Sequence, residues 1–155
     1  GADKVSINSA AIKNPQLIRD ISNQFGSQCV VVAIDTKQTD GAWKVHTHGG
    51  RNATAINTLD WAKEVERLGA GEILLTSMNN DGTKAGFAID ITDEVSKAVN
   101  VPVIASGGAG TSEHFETLFK KTDATAGLAA SIFHFQEIPI PTLKNYLKSK
   151  KIEVR

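Results

Sequence analysis

With 155 residues the chain can bury one compact core, and its 41% hydrophobic content includes no run near the ~20 apolar residues of a membrane span. Lys plus Arg and Asp plus Glu both number 17, so zero net charge argues against a field that draws in nucleic acid or an anionic membrane. The single Cys29 excludes an intramolecular disulfide framework and fits a reducing compartment; with no signal-peptide pattern at the start, a cytosolic protein is expected.

The chain opens Gly1-Ala2-Asp3-Lys4-Val5-Ser6-Ile7-Asn8, with almost no lead-in before a strand-like stretch at 4–7; so abrupt a start suggests a fragment, a designed half, or a chain whose first half is absent. Asn14 and Pro15 predict a helix start, and Leu17, Ile18, Ile21 and Phe25 supply its apolar stripe up to Gly26. Residues 29–34 form an apolar run of the kind that fills a buried parallel strand. Residues 36–47 alternate around Asp40-Gly41, a hairpin turn signal, so a small projecting β-ribbon is expected. A second helix is predicted over 58–68, with Gly69 as its stop, and a strand over 72–76. A polar loop follows over 79–84, then a helix over 91–99 and a strand over 101–105. Ser106-Gly107-Gly108-Ala109-Gly110 is a tight loop, after which Thr111 or Ser112 caps a helix through Phe119. A strand over 125–130 and a helix from 143, whose dipole Lys148 to Lys151 neutralise, complete the chain.

Strands alternating with helices imply a parallel sheet. Glycine loops after the last two strands favour a barrel over a doubly wound sheet, because (β/α)8 enzymes hold phosphate on the loops after strands 7 and 8 and on a short helix N-terminus. The expected fold is therefore α/β, a (β/α)8 TIM-barrel fragment of about strands 4 to 8, in one domain over 1–155; a complete barrel takes roughly 200–250 residues.

Asp35 directly follows the apolar strand. It reads either as a turn residue capping the hairpin or as a carboxylate at a barrel's catalytic mouth, where loss of water suits it to proton transfer. Asp81-Gly82 alone reads as a turn, but with Asp35 it offers two carboxylates on neighbouring strand ends, near Thr76 and Ser77, able to divide acid and base roles. Ser106-Gly107-Gly108 and Ala130-Ser131 form a candidate phosphate cradle, since glycine lets backbone N–H groups approach an anion and Ser131 can open a helical turn. His46 and His48 share a ribbon face, but no third metal ligand is evident and solvated ribbon residues are the plainer reading. His114 and His134, beside phenylalanines, are expected to be packed or supporting. Cys29 is expected to open a buried strand, and Trp61 to serve packing.

Several segments carry a resemblance. Residues 1–8, Val31-Val32-Ala33-Ile34-Asp35, 69–77, Asp81-Gly82-Thr83, 104–110 and 129–135 occur in the order and spacing of the cyclase subunits of imidazole glycerol phosphate synthase, and the resemblance extends to the closing residues. It implies a lyase of histidine biosynthesis, without cofactor, that takes ammonia from a glutaminase partner. That ammonia converts a bisphosphorylated phosphoribulosyl formimino carboxamide ribotide to imidazole glycerol phosphate and aminoimidazole carboxamide ribotide. It further implies that Asp35 is one of two acid–base aspartates, that Thr76 and Asp81 assist, and that Gly82, Gly108, Ala130 and Ser131 grip one phosphate while Asn8 lies beside another. Lys4 and Glu72 match charged residues at the barrel's bottom entrance, where ammonia arrives. Phe87-Ala88 stands where the family shows Tyr-Asp, changing loop polarity near the mouth, and 120–124 is one residue longer than in relatives. Without the other aspartate, this chain alone is expected to show little or no cyclase activity. The rival readings are the pathway's related isomerase and a non-catalytic phosphate-binding half-barrel that self-associates through exposed strand edges.

Overall fold

The computed structural model describes residues 1–155. Its first strand, β1 (Val5–Ile7), pairs in parallel with β2 (Val30–Thr39), β2 with β5 (Glu72–Ser77), β5 with β6 (Val103–Ser106) and β6 with β7 (Ala126–Leu128), so the parallel strands lie side by side in chain order. A doubly wound sheet reverses its strand order at a switch point; this one does not. The helices between the strands are α1 (Ser9–Lys13), α2 (Gln16–Phe25), α3 (Thr58–Leu68), α4 (Ile89–Ala98) and α5 (Ser112–Lys121), with α6 (Ser131–His134) and α7 (Ile140–Ser149) after β7.

Strand alternation decides which face those helices cover. Val30, Val32 and Ile34 of β2, Ile73 and Leu75 of β5 and Val103 of β6 are at most 2% exposed and pack against Ile18 of α2, Trp61 and Val65 of α3, and Ile91 and Val95 of α4. A second cluster joins Ala105 of β6 to Phe115 and Leu118 of α5, Ile132 of α6 and Leu143 and Leu147 of α7. The opposite face carries the intervening residues in three rows set by the register. Val31 pairs with Glu72 in the first; Ala33, Leu74, Ile104 and Ala126 make the second; Asp35, Thr76, Ser106 and Leu128 make the third, at the strands' C-terminal ends. One covered face, one face of stacked rows and sequential parallel strands are the plan of a (β/α) barrel, here open beyond β7.

A ribbon branches from this sheet. Asp40 (φ +52) and Gly41 (φ +77) both occupy the left-handed region that a two-residue hairpin demands, as the Asp-Gly signal predicted. They turn β2 into β3 (Ala42–Thr47), and a further strand, β4 (Asn52–Asn57), adds to β3 beyond the expected hairpin.

Some local expectations are corrected. Phe25, placed on the α2 stripe, is 58% exposed because it sits in the last turn, past the sheet that Ile18 packs against. Cys29 precedes the strand, ending a 3-10 turn (Ser27–Cys29), half-buried with its Sγ 3.2 Å from the Phe25 carbonyl oxygen. His46 is 6% exposed rather than solvated, since its strand is the middle one of the ribbon, paired with Asp35 on one side and Ala53 on the other. His48 lies beyond the strand at φ +55, so the two histidines do not share a face. His134 is exposed, its ring edge-on to Phe135 at 5.0 Å, instead of packed. Phe87 and Ala88 are buried rather than lining the mouth, Phe87 edge-to-face with Phe115 at 5.2 Å. The 120–124 stretch lies where α5 ends, with the Thr122 hydroxyl donating to the Leu118 carbonyl at 2.9 Å.

α5 and α7 are tied together by Glu116. Its carboxylate accepts from Lys120 at 2.7 Å and from the Tyr146 hydroxyl at 2.5 Å, with Lys150 at 3.5 Å. Lys120 first, then Tyr146, hold this carboxyl down from its ordinary 4.5 to about 2, and the carboxylate pushes the Tyr146 hydroxyl up. A carboxyl with a lowered folded-state pKa contributes stability that is present above the unfolded value and lost as pH falls through the folded one. The melting temperature of the wild type should therefore fall more steeply between pH 5 and pH 2 than that of Glu116→Gln; parallel curves would show that the tie contributes nothing.

Candidate active site

The third row of the open face and the loops that follow it make one rim. Asp35 and Thr76 are direct register partners, as are Thr76 and Ser106, so their side chains share the open face at the C-terminal ends of adjacent strands. Asn8, immediately after β1, donates its amide Nδ2 to Asp35 Oδ2 at 3.0 Å, while its own Oδ1 is buried without a partner. Asn8 thus lies against the carboxylate and not among the glycine loops.

A pocket of about 220 Å³ opens between the loops after β5, β6 and β7. Asp81, Gly82, Ser106, Gly107, Gly108, Ala130 and Ser131, seven residues singled out by sequence, all border it. The backbone needs glycine at two of these. Gly107 (φ +92) and Gly108 (φ +96) are left-handed, and a Cβ at Gly107 would come within 2.7 Å of the Ser77 carbonyl oxygen, while one at Gly108 would overlap the Gly86 carbonyl oxygen. The close approach is locked by hydrogen bonds. The Gly86 N–H donates to the Gly108 carbonyl at 2.7 Å, and the Asn80 amide donates to the Gly86 carbonyl at 2.9 Å while accepting from the Ser77 hydroxyl at 2.8 Å. On the far side Ala130 opens α6, whose first turn has no side-chain cap. His114 Nδ1 accepts the N–H groups of Gly110 (3.0 Å) and Thr111 (3.2 Å), which fixes the glycine loop to the start of α5 and calls for an unprotonated Nδ1.

The expected pairing of Asp35 with Asp81 is modified. Asp81 belongs to the glycine pocket, its Cβ beside the site of Gly107, whereas Asp35 does not border that pocket and is held by Asn8, just beyond β1. The strand-end reading of Asp35 and the loop reading of Asp81 separate them because the 77–81 turn, pinned where the Asp81 N–H bonds the Ser77 carbonyl at 2.9 Å, folds toward β6. Lys84 also borders the pocket and was not singled out by sequence. The one available signal was its place as the sole basic residue of the 79–84 loop. Lys4 and Glu72 are ion-paired at the opposite end of the open face, Glu72 in its first row.

A chain with sequential parallel strands, helices on one face and pocket-lining loops gathered at the strands' C-terminal ends is of the (β/α)-barrel class. The sequence model of a family described as histidine biosynthesis protein matches residues 1–139. The chain belongs to that family, as the motif segments implied. It is 63% identical over 156 residues to the imidazole glycerol phosphate synthase subunit HisF of Hydrogenobaculum sp. (strain Y04AAS1), covering 100% of this chain and 62% of that relative. Subunits of the same description from Flavobacterium psychrophilum and Clostridium botulinum (strain Okra / Type B1) are 62% and 58% identical, with the same coverage. The chain therefore spans about 62% of the length of the curated relatives it matches. No helix is long and apolar enough to cross a membrane.

Proposed function

We propose that this chain supplies the phosphate-gripping and acid–base rim of an imidazole glycerol phosphate synthase cyclase subunit in the cytoplasm. In this reading ammonia from a glutaminase partner reacts with a phosphoribulosyl formimino carboxamide ribotide, and imidazole glycerol phosphate and aminoimidazole carboxamide ribotide leave. The observation that carries it is the placing of Asp35, Thr76 and Ser106 in one row, at the same rim as a pocket built from the Gly107-Gly108 loop and the start of α6.

The roles follow from position. Asp35 moves protons at the reacting centre, oriented by Asn8, whose buried and unpartnered Oδ1 is available to a substrate donor. Thr76, its register partner, and Asp81 at the pocket's edge assist. Gly82, Ser106, Gly107, Gly108, Ala130 and Ser131 hold one phosphate through backbone N–H groups and hydroxyls, in a site that requires only local positive potential. Lys4 and Glu72, paired at the other end of the open face, suit the entrance for ammonia. The outer edge of β7, which pairs only with β6, supports association with a complementary half or with a second copy.

Assayed with ammonium and substrate, the 155-residue chain alone is expected to show no turnover. Joined to the part of a full-length relative that it does not match, it should turn over, and Asp35→Asn should cut that rate by about 10²–10⁴-fold. Turnover by the chain alone at the rate of the completed barrel, or an Asp35→Asn variant of full activity, would refute the assignment.

A further inference from the structure

Among the residues bordering the glycine pocket, Lys84 alone carries positive charge, and Asp81 carries a negative one. The Lys84 ammonium is already engaged: both Glu137 carboxylate oxygens lie close, at 2.6 and 2.7 Å. This pair joins residues 53 apart, from the loop after β5 to the segment after α6, and so spans two of the walls between which the pocket opens. Both side chains remain partly open to water, at 45% and 40% exposure, and Glu137 itself does not border the pocket. The lysine is also held in place from behind. Its backbone is left-handed (φ +57), a conformation a lysine rarely adopts, and its carbonyl is packed so closely on Gly110 that a Cβ there would come within 2.5 Å. The surrounding loops, rather than the lysine's own preference, fix where the ammonium stands.

We propose that Lys84 is the charge-selecting residue of the pocket, and that Glu137 is its resident counter-ion, which an incoming phosphate must displace. This rests on the reading of the pocket as a phosphate grip. Backbone N–H groups attract any anion, but they do not by themselves balance a dianion beside Asp81. A compact ammonium adds one full positive charge that offsets part of the dianion, and so favours phosphate over uncharged groups. While the pocket is empty Glu137 satisfies the ammonium; when phosphate arrives, the ammonium exchanges one carboxylate for a phosphate oxygen and the 137 segment is released. Glu137 therefore weakens phosphate binding although it never touches the phosphate.

That competition gives the two variants opposite signs. The full chain, Lys84→Met, Glu137→Gln and Lys84→Arg would be titrated with inorganic phosphate at constant ionic strength, followed by calorimetry or phosphorus NMR line width. Lys84→Met is expected to weaken binding about five- to tenfold, Glu137→Gln to tighten it about two- to fivefold, and Lys84→Arg to stay within about twofold of the wild type. Both side chains are exposed enough for the variants to fold, which a thermal melt verifies. Lys84→Met binding like the wild type, or Glu137→Gln weakening binding alongside Lys84→Met, would overturn the proposal; the second result would make the pair a brace for the loops and not a competitor. A wild type that binds no phosphate overturns the phosphate reading of the pocket, and this inference falls with it. Wild-type binding with both variants unchanged overturns the roles given to Lys84 and Glu137 and leaves the phosphate reading of the pocket standing.

Discussion

Replacing Gly108 with alanine is expected to destabilise the chain by about 2–4 kcal/mol and to abolish its binding of inorganic phosphate. Two independent costs meet at this position. The backbone is at φ +96, where an L side chain is strained, and the new methyl group would fall on the Gly86 carbonyl oxygen. That oxygen cannot simply retreat, because it accepts from the Asn80 amide and its own residue's N–H donates to the Gly108 carbonyl. Relief must therefore move the loop after β5 and the loop after β6 together, and these are two of the pocket's three walls. Gly82 offers the contrast: also left-handed, at φ +74, it has nothing within 4 Å of its missing Cβ. Gly82→Ala should show only the backbone penalty, about 1 kcal/mol, and keep most of its phosphate binding. Urea unfolding with a phosphate titration checks both, and equal behaviour of the two variants would contradict the close-approach argument.

Ile73→Ala should cost about 3–5 kcal/mol, the upper range for opening a cavity in a well-packed core. Ile73 is fully buried in β5, whose neighbours on either side, Val32 and Val103, face the same helices. A chain of this size has only about 5–15 kcal/mol in hand, so roughly a fifth or more of its stability rests on this side chain. The next residue, Leu74, points to the open face and is half-buried. Leu74→Ala should cost no more than about 1.5 kcal/mol, because less apolar surface returns to water. Chemical denaturation of the two variants tests the assignment of the faces directly; similar losses would mean that both faces are equally packed.

Much of this architecture was legible in the sequence for a definite reason. The runs at 29–34, 72–76 and 101–105 are short, apolar and β-branched, and lie between helical periods, a combination that fits little other than parallel strands under a helical layer. Asp40-Gly41 specified its turn because few residue pairs accept two positive φ angles in succession. The five-residue α1 is too short to display a period, and β4, Asn-Ala-Thr-Ala-Ile-Asn, has small side chains that carry little hydrophobic signal and is recruited by pairing with β3. Burial of His46 likewise depends on that third strand. At the rim, glycines announced themselves through backbone demands, so Gly107 and Gly108 could be singled out. Lys84 could not, since what distinguishes it is a partner 53 residues away.

The edge of β2 is divided between two neighbours. Its first residues, Val30 to Val32, run beside β1, and its last, Asp35 to Thr39, run beside β3, while β5 lines the opposite side from Val31 to Thr36. The position of Asp35 is thus braced from left and right by strands other than the three-residue β1. The backbone at Asp35 is therefore held even where the short leading strand frays, whereas the carboxylate's hydrogen bond to Asn8, just beyond β1, is tied to that strand, so loosening at this margin reaches the side chain before it reaches the sheet.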